Sequence, residues 1–86
     1  MSRLIPAAER IVRARALIEE ARRLPVPPEL GRNDFSYIAQ VKDLLRQARD
    51  LVKFIPQSPS ASPAMKEDVR QLYLEIERAD REILHP

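Results

Sequence analysis

The side chains that most often do chemistry are scarce in this chain and do not gather. It has no cysteine and one histidine, His85, next to the last residue. A thiolate nucleophile, a thiolate zinc site and a disulfide are therefore excluded together. As a metal ligand or general base His85 has no second histidine and no cysteine to work with, and it reads as a solvated tail residue. Gly31 is the single glycine, so there is no glycine-rich phosphate loop, and neither a nucleophile elbow nor an HExxH motif occurs. Carboxylates are plentiful, but a di-metal site in a helical bundle needs inward glutamates and a Glu-x-x-His motif. That motif is absent, and no acidic residue falls on the apolar stripes described below. The inventory points away from an enzyme and away from any metal or cofactor.

Three other groups of residues carry candidate chemistry. Twelve of the fifteen basic residues are arginine, and residues 1–24 hold six of them against three glutamates. Arg3, Arg10, Arg13, Arg22 and Arg23 are suited to bidentate contact with phosphate or carboxylate, with Arg10 and Arg13 the central candidates. Glu9, Glu19 and Glu20 interleave with them, and no aromatic on this segment offers a base a stacking surface. Nucleic-acid binding is thus the alternative reading. Ser58-Pro59 and Ser62-Pro63 are candidate proline-directed phosphorylation sites, Ser62 equally a helix cap. Pro25-Val26-Pro27-Pro28 reads as a rigid spacer, its alternative a polyproline ligand.

The elements that hold these residues are marked out by proline. Eight prolines fall at the start, in clusters at 25–28 and 56–63, and at the end; inside a helix each would remove a hydrogen bond and clash with the preceding turn. The stretches between them repeat apolar residues at alternating spacings of three and four. The first stripe is Ala7, Ile11, Ala14, Ile18 and Ala21. The second is Ile38, Val41, Leu45, Ala48, Val52 and Ile55, and the third is Met65, Val69, Leu72, Ile76, Ala79 and Ile83. Leu17, Leu24, Leu44, Leu51 and Tyr73 widen them toward the arc that a globular bundle needs. Pro6 suits a first helical turn, Asn33 or Asp34 a cap, and Ser62-Pro63 a cap followed by a helix-starting proline. Glu9–Arg13, Glu19–Arg23 and Glu77–Arg81 stand at the favourable i,i+4 spacing.

This pattern predicts an all-α fold: one domain over residues 1–86, an up-down-up three-helix bundle with helices at 6–24, 34–55 and 63–84 and Pro-rich connectors. The connectors are short enough to make consecutive helices antiparallel neighbours. Apolar residues left off the stripes are the candidate partner surface. Ile5, Val12 and Ala16 on the first helix, Phe54 at the end of the second and Leu74 on the third point away from the core. Val12, Ala16 and Leu74 are expected to share one surface, because the first and third helices run parallel. A surplus of outward apolar residues, with nothing to catalyse, favours a protein–protein interaction module that presents a helix groove to a partner helix or short peptide. A third reading is a homo-oligomer in which a second copy completes a thin, alanine-rich core. Residues 1–24 carry net +3 and residues 63–86 net −2, an asymmetry suited to holding those two segments together. No apolar run has membrane-spanning length, no leader is evident, and the missing cysteine suits a reducing compartment. The expected location is intracellular, cytoplasmic or nuclear, with no membrane partner.

Overall fold

The computed structural model describes residues 5–85; Arg3 lies outside them. Three α-helices, α1 (Ala7–Arg23), α2 (Phe35–Val52) and α3 (Pro63–Leu84), pack against one another as an all-α three-helix bundle, with no strand among the described residues.

The helix ends follow from side chains and proline. Asp34 caps α2, its Oδ1 accepting from the Tyr37 N–H at 3.0 Å, and the Ser62 hydroxyl caps α3 by accepting from Met65 N–H at 3.1 Å. Pro6 stands just outside α1, with extended backbone, and its carbonyl accepts from Arg10 N–H at 3.0 Å. The second helix stops at Val52, three residues short of the expected Ile55. Pro56 is the reason: its ring would clash with the carbonyl four residues back, which belongs to Val52. The chain instead closes a separate 3₁₀ turn over Ile55–Gln57. In the first connector Gly31 takes φ +57° and opens a 3₁₀ turn, Gly31–Asn33, that leads into the Asp34 cap. Only glycine adopts that conformation without strain.

The core is the set of three stripes with one exchange. Every stripe residue is buried except Ala7, Ile38 and Met65, which are half-buried, and Tyr37 is buried in addition. The Tyr37 ring shares a depression with Leu24 and Ile83, where α1 and α3 end, and so takes the place expected of Ile38. Ala14, Ala21, Ala48 and Ala79 are fully covered within the single chain.

Contacts between helices set the topology. Arg15 pairs with Glu75 at 3.0 Å and Arg22 with Glu82 at 3.2 Å. Both pairs join residues sixty positions apart, and seven residues separate them on each helix, so α1 and α3 run parallel in constant register. Lys42 pairs with Asp80 at 3.3 Å, and the Arg49 guanidinium lies 5.8 Å from the centre of the Tyr73 ring. Numbers that rise along α2 fall along α3, which makes those two antiparallel. The basic first helix and the acidic third are therefore joined by ion pairs. Within helices, Glu9–Arg13 forms at 3.1 Å. Glu19–Arg23 and Glu77–Arg81 do not form; Asp43–Arg46, Asp50–Lys53 and Glu67–Arg70 pair at i,i+3 instead.

Candidate functional site

Up-down-up topology brings the start of α1, the end of α2 and the start of α3 to one end of the bundle. The early stop of α2 at Pro56 leaves these three ends incompletely filled. Between them lies a cleft of about 490 Å³, within the range of about 300–1,000 Å³ typical of ligand pockets. Its lining is mainly apolar: Ile5 and Ala7 from α1 and the residue run before it, Leu51 from the end of α2, Phe54 and Ile55 from the turn that follows it, and Met65 from α3. Ile55 is buried and forms its depth, whereas Phe54 is 66% exposed at its rim.

Arg10 is the charged residue of this cleft. Its Nε donates to the Ile5 carbonyl at 3.0 Å, and Nη1 approaches the Leu51 carbonyl at 3.4 Å. The second contact places a cation at the C-terminal, negative end of α2. Arg10 is half-buried, and among the described residues no carboxylate pairs with it. Asp50, which shares a shallow side depression with Arg10, is taken by Lys53 at 3.3 Å. The Lys53 ammonium also stands 5.2 Å from the centre of the Phe54 ring, a cation–π distance. On the opposite side of the cleft the Ser58 hydroxyl is 2.9 Å from that of Ser60, and both serines line the opening.

The candidate residues thus divide into two groups. Phe54, Arg10 and Ser58 come together on the cleft, with Ser62 at the adjoining start of α3. Val12, Ala16 and Leu74 lie outside the cleft, exposed on the outward faces of α1 and α3. Val12 and Ala16 each sit two residues from buried Ala14, and Leu74 sits two from both Leu72 and Ile76. Two residues is about 200° of turn, so each faces outward from its own helix. The Arg15–Glu75 and Arg22–Glu82 pairs run along the seam between α1 and α3. Val12 is 65% exposed and Leu74 43%; singly exposed apolar residues of this kind are ordinary. Ile5, expected to point away, is half-buried in the cleft wall.

The arginines of α1 are mostly engaged by the protein itself. Arg13 pairs with Glu9, Arg15 with Glu75, Arg22 with Glu82, and Arg10 holds backbone carbonyls. A further arginine from the connector, Arg32, donates to the Ile83 carbonyl at 2.8 Å and so closes the C-terminal end of α3. Comparison with protein-family models, curated proteins and solved structures yields no match. Function must accordingly be argued from the site.

Two features escaped the sequence reading. The cleft itself was invisible, because it is made where three helix ends coincide. Phe35 is 86% exposed and Leu30 60% exposed at the opposite end; an aromatic immediately after the Asp34 cap and off the α2 stripe was the available signal for Phe35. Elsewhere on the surface, the Asp43 carboxyl is held below its usual range, chiefly by a hydrogen bond from Arg46 and then by Gln47. The Glu67 carboxyl is lowered in the same way by Arg70 and then Gln71. Both lie on outward faces and belong to local pairs rather than to the cleft. Among the described residues no three Asp, Glu or His side chains converge to hold a metal ion, and no helix is long and apolar enough to cross a membrane.

Proposed function

We propose that the protein is a non-enzymatic protein–protein interaction module, whose docking site is the apolar cleft at the shared end of the three helices. The observation that carries this reading is the cleft's composition: an apolar lining from three elements around an exposed Phe54. An exposed aromatic beside a preformed apolar depression is the usual anatomy of an interface anchor. Recognition of a short apolar segment of another protein fits its dimensions, in the manner of helix-in-groove binding. The arginines of α1 lend nucleic-acid binding less support, since Arg13, Arg15 and Arg22 each face a glutamate and that helix carries no aromatic on which a base could stack.

Selection of peptides from a displayed random library tests the reading. Wild-type protein is expected to enrich peptides that Phe54→Ser no longer retains. Because Phe54 is largely exposed, that variant should melt within about 0.5 kcal/mol of wild type. Recovery of no peptide, or of peptides indifferent to Phe54→Ser, overturns the proposal. A parallel titration with duplex and single-stranded DNA and RNA at low salt is expected to show no binding.

A further inference from the structure

From the charges around the cleft we infer the chemistry of its occupant: an apolar segment of another protein that carries a carboxylate beside its anchoring side chain. The inference rests on the docking role proposed above and adds to it a demand for negative charge.

Arg10 is the source of that demand. Of the five guanidinium N–H groups, the contacts to Ile5 and Leu51 use two. The remaining donors belong to a half-buried cation on an apolar wall, with no carboxylate partner among the described residues. A partly buried guanidinium with N–H groups to spare gains from a carboxylate, to which it can donate in a planar, two-point contact. At the rim Lys53 stands over the Phe54 ring but is paired with Asp50, so those two charges offset each other and Arg10 is left as the uncompensated charge of the cleft. An incoming segment with only apolar character would cover Arg10 without satisfying it, and a basic segment would be repelled by it. An acidic–apolar segment satisfies the depth of the cleft and its charge together.

The pairing has a consequence for specificity. Replacing a carboxylate by its amide leaves size and shape nearly unchanged and removes the charge-assisted contact, which is worth about tenfold or more in affinity. That substitution is made in the peptide, so the fold of the protein, to which Arg10 contributes by holding the Leu51 carbonyl, is left untouched.

The test uses peptides selected on wild-type protein and discarded by Phe54→Ser, synthesised with each Asp or Glu changed in turn to Asn or Gln. Binding is followed by fluorescence anisotropy, and the site by amide chemical shifts of Ala7, Leu51, Phe54 and Met65. The expected result is that cleft-binding peptides carry an acidic residue, that one amide substitution weakens them about tenfold, and that added salt narrows the gap between acid and amide forms. Arg10→Lys, which keeps the charge but not the planar fork, is expected to retain part of the preference. Cleft-binding peptides with no acidic residue, or with unchanged affinity after amide substitution, overturn this inference and leave the docking role standing. Failure to select any Phe54-dependent peptide overturns both. Concentration-dependent self-association in sedimentation that Phe54→Ser abolishes also overturns it, since the occupant is then a second copy.

Discussion

Leu72 and Leu74 are two residues apart on α3, of the same type, and in opposite environments. Leu72 is fully buried, whereas Leu74 is 43% exposed. Truncating Leu72 to alanine removes three carbon groups from the core, a transfer loss of roughly 2.4 kcal/mol at about 0.8 per group. The cavity left behind raises the cost to about 3–5 kcal/mol. A chain of 86 residues has a total stability of about 4–13 kcal/mol. Leu72→Ala should therefore lower the melting temperature by about 12 °C or more, at about 4–8 °C per kcal/mol for a domain of this size. Leu74→Ala loses a partly solvated side chain and gains helix propensity, so its cost should stay within about 1 kcal/mol. Chemical denaturation of both variants, followed by circular dichroism at 222 nm, measures the difference. Equal destabilisation, or a larger effect at Leu74, would refute the orientation assigned to α3 and the separation of Leu74 from the core.

Three further outcomes are expected. Gly31→Ala should cost about 1–2 kcal/mol through the left-handed backbone alone, because an added Cβ meets no atom within 4 Å; Gly31→Asn should cost less, and a neutral alanine in thermal melts would contradict the φ of +57°. Ser62→Ala removes the cap of α3 and should cost about 1 kcal/mol, with faster amide exchange at Met65, while Ser62→Asp keeps a capping oxygen and should restore both. In carbon-13 titrations Glu67 and Asp43 should ionise below their usual ranges, because Arg70 and Arg46 respectively favour the charged form. A depressed folded pKa means that the associated stabilisation is present above the unfolded carboxyl pKa and is lost as pH falls through the folded one; Arg70→Gln should move Glu67 upward, and a Glu67 that titrates normally in the wild type would remove the pair from solution.

What the order of amino acids determined by itself is the set of elements and their buried faces. Proline positions bounded the helices, and an apolar residue at every third or fourth place named almost the whole core before any contact was known. Both are local properties: a residue's face follows from about 100° of turn per position, and a proline acts within four residues of itself. Some outcomes were local but were settled between competing signals: Asp34 rather than Asn33 became the cap, and Pro56 stopped the second helix at Val52 rather than Ile55. Tertiary packing decided that Tyr37 rather than Ile38 is buried. The roles of the arginines were likewise decided by the fold. On the sequence Arg10 and Arg22 look alike, both candidates for contact with a phosphate or a carboxylate. In the bundle Arg15 and Arg22 join α1 to α3, and Arg10 reaches a carbonyl 41 positions away. The same holds for the candidate surface. Val12, Ala16 and Leu74 were legible as outward residues, but that the seam between α1 and α3 is lined by ion pairs was set by how the two helices are rotated in the bundle. The cleft is the feature furthest from the sequence, since it exists only where three helix ends, set by two unrelated connectors, arrive at one place.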